Sequence, residues 1–169
     1  MSAPGEVQAE AILRSVSSDL EADTAFSREL EIRAGSGLCA RLQAMGELPV
    51  GAAVITPGGE LSVGFLIHVV LQSAEERITS QGLRSALQNG LRRAEEWGLE
   101  TLALPPLGTG AGKLDADEAA SLMVPLISDH LRSSKNPREV IIVVGTGYER
   151  DVFDQAVESV QGHMSARED

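Results

Sequence analysis

The chain has 169 residues, of which 43% are hydrophobic and only 3% aromatic, with 14 basic residues against 25 acidic ones and a net charge of −11. That length suits a single domain, 1–169 with a core of about 7–160, and the apolar content excludes a disordered chain. The negative charge argues against nonspecific binding to nucleic acid, which needs basic surface to displace counterions.

With aromatics so few, the core must be built from Leu, Val, Ile and Ala. Cys39 stands alone, so no internal disulfide is possible and no metal cluster or cofactor is expected. No apolar run reaches membrane-span length and no signal peptide is evident. A soluble, cytoplasmic protein with a small-molecule partner is the expectation, with neither nucleic acid nor membrane.

In chain order, an apolar run at 11–16 predicts the first strand. The acids Asp19, Glu21 and Asp23 follow it. They suit a solvated loop capping the next helix, or a group that positions a water or binds a ribose hydroxyl. Helices are expected over 24–33 and 38–45, with Cys39 packing inward. Strands follow at 52–56 and 65–71. His68 lies within the second of these and reads as a hydrogen-bonded strand histidine, without a carboxylate at useful spacing to make it a base.

The helix predicted over 80–97 aligns Leu83, Leu87, Leu91 and Ala94 on one stripe, and Gly98 suits its stop. A strand at 101–104 leads into Gly108-Thr109-Gly110-Ala111-Gly112-Lys113. Asp115, with Glu118 three residues on, reads as the capping box of the following helix. Ala119, Met123, Ile127 and Leu131 form that helix's stripe, and Pro125 predicts a kink. A strand at 140–144 leads into Gly145-Thr146-Gly147-Tyr148. The last helix, 150–161, should turn Phe153, Ala156, Val157 and Val160 inward. His130 and His163 look peripheral, and the ends at 1–6 and 162–169 loose.

Strands alternating with helices imply an α/β fold with a mostly parallel sheet. Ligands of such sheets bind beyond the carboxyl ends of the strands. Three glycines at alternate positions leave the backbone bare where strand becomes helix, which suits a phosphate or diphosphate. A plain tight turn remains the alternative. The spacing does not fit a Walker loop, because only three residues separate Gly108 from Gly112 and Leu114 stands where Ser or Thr should bind magnesium. A dinucleotide fingerprint fails too, since the glycines read G-x-G-x-G and come late in the chain. If strands 101–104 and 140–144 are parallel neighbours, Gly108 and Gly145 open onto one cleft. Tyr148 could there stack on a base, or simply anchor the loop.

The order of these parts resembles the macro domain, an ADP-ribose-binding family. Glu10-Ala11-Ile12-Leu13-Arg14 stands where the family reads Asp-Ala-Ile-Val-Asn. The segments from Pro49 to Gly59 and from Phe65 to Val70 match two of its strands. Leu104-Pro105-Pro106-Leu107-Gly108-Thr109-Gly110-Ala111-Gly112 matches the loop that wraps the diphosphate. The resemblance implies a three-layer α/β/α sandwich with a mixed, mostly parallel sheet of about five strands. It also implies ligand contacts from Gly108, Thr109, Gly110, Ala111, Gly112, Gly145, Thr146, Gly147, Tyr148, Ser15 and Ser17.

The departures are informative. Arg14-Ser15-Val16-Ser17 replaces the family's Asn-Ala-Ala-Asn, and its glycine-rich first loop is absent, Thr24-Ala25-Phe26-Ser27 standing roughly there. Hydrolysis needs a water held at the anomeric carbon, for which Asp19 and Asp23 are the remaining candidates. The resemblance therefore implies binding without hydrolysis. The alternatives are a hydrolase with a replaced acid, or an interaction protein whose pocket Arg14 or Phe26 fills. It also leaves the last strand as an exposed apolar edge, expected to be covered by the N-terminal segment or by a second subunit in a homodimer.

Overall fold

The computed structural model describes residues 8–109 and 114–168, with side chains of the last helix as far as 161. Its elements are β1 (Ala11–Ser17), α1 (Ala25–Ala34), α2 (Ser36–Met45), β2 (Ala53–Pro57), β3 (Phe65–Gln72), α3 (Ser80–Glu96), β4 (Thr101–Leu104), α4 (Ala116–Ser133), β5 (Glu139–Ile142) and α5 (Gly147–Glu168). The five strands form one sheet in the order β2-β3-β1-β4-β5. β1 runs parallel to β3 and β4, β4 runs parallel to β5, and β2 alone is antiparallel, against β3.

Alternation along the strands divides the core into two layers. Leu13, Ile67, Val69, Leu102 and Leu104 face α3, α4 and α5. Ile12, Val16, Leu66, Val70 and Ala103 face α1 and α2. The sandwich thus has three layers, and β1 and β3 are apolar at consecutive positions because helices cover both their faces.

The leucine stripe of α3 is buried as expected, and Gly90 completes it. A Cβ on Gly90 would stand 2.6 Å from Leu13 Cδ1 and 3.0 Å from Val69 Cγ1, so glycine here is what lets the helix lie against β1 and β3. On α4, Ala119, Met123 and Ile127 are buried, and the helix runs as one element through the exposed Pro125. Asp115 caps it, its carboxylate accepting from Glu118 N at 2.8 Å.

Three expectations need correction. Val157 is 36% exposed; Phe153 is buried and Ala156 and Val160 half-buried against the core, so α5 docks through a narrower stripe. Cys39 is exposed, because Leu38 and Leu42 already fill the inward face of α2. The cap of α1 is Thr24 itself, whose Oγ1 accepts from Ser27 N at 3.0 Å, leaving the acids before it to other partners. β5 pairs with β4 and ends the sheet among the described residues. The N-terminal cover expected for it lies in residues 1–7, outside the described residues. No helix among the described residues is long and apolar enough to cross a membrane.

Candidate functional site

Because β1, β3, β4 and β5 are parallel, their carboxyl ends share one edge of the sheet. The segments leaving that edge carry the chemistry: residues 17–23 after β1, Gln72 ending β3, 105–109 after β4 and 143–148 after β5. The expected convergence of Gly108 and Gly145 on one edge follows from the parallel pairing of β4 and β5.

The glycine loop after β4 is pinned at both described ends. Gly108 has φ +78°, which favours glycine, and its carbonyl accepts from Leu114 N at 3.0 Å. Leu107 N donates to Met123 Sδ at 3.2 Å, tying the loop's entry to α4. Thr109 is half-buried beside it. The expected ligand residues Gly110, Ala111 and Gly112 lie outside the described residues.

After β5 the donors are turned onto the protein's own carboxylates. Glu149 Oε1 accepts from Gly145 N at 3.0 Å and, at 3.5 Å, from Thr146 Oγ1, while Glu149 N donates to Thr146 Oγ1 at 3.1 Å. Thr146 thus caps the start of α5, and Glu149 reaches back one residue beyond it to Gly145 N, a variant of the capping box legible in the spacing of Thr146 and Glu149. Tyr148, 61% exposed, donates its hydroxyl to Asp117 Oδ2 at 2.9 Å, which fixes the ring at the N-terminal end of α4. That bond, with the Asp117 charge, pushes the phenol pKa up.

The loop after β1 is compact. Ser17 N donates to Glu21 O at 3.0 Å and Leu20 N to Ser17 O at 2.8 Å. Leu20 takes φ +67°, costing a leucine about 1–2 kcal/mol. Burial of its side chain offsets that cost. Asp19 is exposed and folded onto its own loop, accepting from Glu21 N at 3.0 Å and Ser17 Oγ at 2.8 Å. These donors, the Glu21 amide first, pull its carboxyl pKa down.

Asp23 is half-buried. Its Oδ1 accepts from Ser15 Oγ at 2.8 Å and its Oδ2 from Gln72 Nε2 at 3.3 Å. The hydroxyl hydrogens of Ser15 and Ser17 are therefore given to Asp23 and Asp19.

Arg14 is fully buried and turned toward α1. Its Nε donates to His68 Nδ1 at 2.8 Å, its Nη1 to Ser27 O and Oγ at 3.1 Å each, and its Nη2 to Glu31 at 3.1 Å. Ser27 Oγ donates onward to Ser15 O at 2.7 Å. His68 Nε2 faces Thr56 Oγ1 at 2.8 Å, confirming the reading of a hydrogen-bonded strand histidine. Phe26 packs on the α1–α2 layer of the core. Arg14 and Phe26 thus have their partners in that layer rather than among the described residues of the Gly108 loop. Sequence reasoning missed this network, and with it Gln72, Asp117 and Glu149. Among the described residues, no group of three or more His, Cys, Asp or Glu side chains could hold a metal ion.

Comparison with known proteins places this geometry. The family model of the macro domain matches residues 14–123. A macro domain-containing protein of Caldanaerobacter subterraneus is 31% identical over 117 residues, covering 68% of this chain and 66% of that protein. An uncharacterized protein of Mycobacterium bovis is 33% identical over 118 residues, 70% of this chain and 32% of that one. Among solved structures, the Oceanobacillus iheyensis macrodomain with ADP superposes with a TM-score of 0.87 at 19% identity, covering 96% of this chain and 90% of that chain. The Trypanosoma brucei macrodomain in complex with ADP-ribose superposes at 0.83 with 15% identity, covering 92% and 66%. With more than half its length matched by the family model, this chain belongs to the macro domain family.

Proposed function

We propose that this chain binds ADP-ribose, or a related nucleotide diphosphate, along the carboxyl edge of its sheet and does not hydrolyse it. The observation that carries the reading is the pairing of two glycine-bearing turns on adjacent parallel strands, with Gly108 held at φ +78° and closed onto Leu114. Backbone N–H groups at a strand-to-helix turn can hold a diphosphate inside an acidic protein, because the dipoles are local and net charge is not. Structural relatives solved with ADP and with ADP-ribose support the choice of ligand. The tethered, exposed ring of Tyr148 offers a face for the base.

The case against hydrolysis rests on the residues of β1 and of the loop after it. A water attacking the anomeric carbon must be held by a side chain able to take its proton. Arg14 cannot accept a proton and points into the core. Asp19 spends its carboxylate on Ser17 and Glu21, and Asp23 holds Ser15 and Gln72 with its own.

Isothermal calorimetry with ADP-ribose tests binding; absence of heat at millimolar ligand, with no rise in melting temperature, overturns it. At a hundred times the Kd, bound ligand should add about 2.7 kcal/mol of stability. Release of ADP-ribose from modified protein would overturn the second half of the proposal. A second copy pairing along β5 would complete the sheet there, and sedimentation at micromolar concentration reads it as a dimeric mass.

A further inference from the structure

Aromatic side chains are scarce in this chain, and its single tryptophan stands mostly in water. Trp97 is 55% exposed, although tryptophan is highly buried on average. It does not sit on a loose loop. Trp97 N donates to Arg93 O at 3.1 Å, Gly98 N to Glu95 O at 3.0 Å and Leu99 N to Ala94 O at 3.0 Å, which closes the end of α3 around it. The indole rests on Phe65, with ring centroids 5.3 Å apart and planes at 56°. Phe65 opens β3 and Trp97 follows the last residue of α3, so the pair lies at the amino edge of the sheet, opposite the glycine turns. Carboxylates border it. Phe65 N donates to Glu10 O at 3.2 Å, and Glu10 Oε2 accepts from Glu100 N at 3.1 Å, which places the exposed Glu10 and Glu100 beside the aromatic pair. The basic residues are placed elsewhere. Arg93, one turn before Trp97, gives its Nε to Ala53 O at 3.1 Å and its Nη1 to Glu96 at 2.8 Å. Arg92 lines the groove between α3 and α4 with Glu95 and Asp129. Arg138 precedes β5, three strands from β3. The C-terminus of α3 adds the negative end of its dipole to this edge.

We propose that Trp97 and Phe65 form a docking surface for a basic peptide segment of another protein, with an arginine or lysine laid over the indole and its charge directed at Glu10 and Glu100. An indole face attracts a cation through its quadrupole, and the alkyl stem of the same side chain covers apolar ring surface. Stacking on Phe65 has already ordered the indole, so docking loses little side-chain freedom, as suits an interface anchor. Charge chooses the occupant. A second copy of this chain carries the same net charge of −11 and is repelled, as are nucleic acid and an anionic membrane. The surface lies at the opposite end of the strands from the proposed nucleotide edge, so both can be filled at once and neither depends on the other.

Trp97, as the single tryptophan, reports on its own site. Its emission is titrated with a short peptide of alternating arginine and glycine, with the glutamate counterpart and with a single-stranded oligonucleotide. A saturable change with the arginine peptide alone is the expected result. No saturable change at millimolar arginine peptide overturns the proposal, and so does an equal response to either of the other two. Followed by calorimetry, Trp97→Ala should bind the arginine peptide about tenfold more weakly. An unchanged affinity would mean that charge alone draws the peptide, which overturns the proposal. Glu10→Gln combined with Glu100→Gln should weaken binding a few-fold at about 20 mM salt and much less at about 0.5 M; no loss at low salt overturns the part assigned to the carboxylates. Should Trp97→Ala fail to fold, Phe65→Leu keeps the tryptophan and an apolar support but removes the stacked ring; a several-fold weaker complex supports the proposal and an unchanged one overturns it.

Discussion

Arg14 donates its Nε–H to Nδ1 of His68 at 2.8 Å, with both side chains fully buried between β1, β3 and α1. Arginine has no acceptor, so Nδ1 must be the bare nitrogen and His68 is the neutral Nε2–H tautomer, donating to Thr56 Oγ1. Burial, and then the Arg14 charge, holds the imidazole pKa well below its ordinary 6.5. Above pH 6.5 the folded and unfolded chains are both neutral at this residue. As pH falls below 6.5 the unfolded chain takes a proton that the folded chain refuses, and stability drops by up to about 1.4 kcal/mol per pH unit until the folded His68 titrates. Urea midpoints at pH 7.5 and 5.5 should therefore separate for wild type and converge for His68→Gln, which keeps an acceptor and a donor but does not titrate. Equal midpoints for wild type at both pH values would contradict this assignment. The loss attached to Asp19, whose pKa is depressed, falls in a lower window, below about pH 4.

Replacing Arg14 measures what the same network contributes. Arg14→Met leaves His68 Nδ1 and Ser27 O without their donor and Glu31 without its partner. Glu31 is 20% exposed on its side chain and regains water, so the loss is set mainly by the buried acceptors, about 3 kcal/mol. Arg14→Lys should recover little, because one ammonium cannot span His68, Ser27 and Glu31 as a planar fork does. Guanidine unfolding of the two variants checks both statements, and a lysine variant as stable as wild type would refute the second.

Most of this frame was legible in the chain. All five strands lie within two residues of the apolar runs that announce them, since a strand covered on both faces must be apolar at consecutive positions. The cap at Asp115 marked where α4 begins, because it satisfies an amide that the helix leaves free; at α1 the acids were expected to cap, and Thr24 does so instead. The start of α2 was hidden by Ser36 and Gly37, poor helix formers that are carried into the helix by Leu38 and Leu42 packing beneath them. Arg14 was hidden differently. A charge in a buried strand makes sense only once His68, Ser27 and Glu31 are beside it, and those come from β3 and α1. A signal existed in the parity: Arg14 shares its strand face with Ile12 and Val16, so it faces the core unless the strand ends early. Asp23 and Gln72 meet for the same reason, being 49 residues apart in sequence and adjacent only after β1 and β3 pair.

Glycines in two helices should respond oppositely to alanine. At Gly90 a new Cβ meets Leu13 and Val69, both fully buried, and neither has free space to move into. Overpacking of that kind costs about 1–3 kcal/mol, more than the gain of up to about 1 kcal/mol in helix propensity. At Gly37 on α2 nothing lies within 4 Å of the added Cβ, and the propensity gain stands alone. Thermal melts should show Gly90→Ala lowered and Gly37→Ala raised by a few degrees. The reverse order would mean that α3 can shift away from the sheet.

Glu149 sits where an anion would meet the turn after β5, with its carboxylate on Gly145 N and its own amide on Thr146 Oγ1. Glu149→Gln keeps an oxygen acceptor for Gly145, so the start of α5 should stay capped and the melting temperature should change little. What the substitution removes is a negative charge at the mouth of a cleft proposed to receive a diphosphate. At low salt two like charges near a protein surface repel by an amount comparable to a few-fold in affinity, and salt screens it. Affinity for ADP-ribose should thus rise a few-fold in Glu149→Gln at 20 mM salt (about a 20 Å screening length) and the gain should shrink at 0.5 M. Calorimetry at both salt concentrations reads it. A weaker complex in Glu149→Gln would mean that the carboxylate supports the ligand through the turn it caps, and that the diphosphate lies closer to Gly108 than to Gly145.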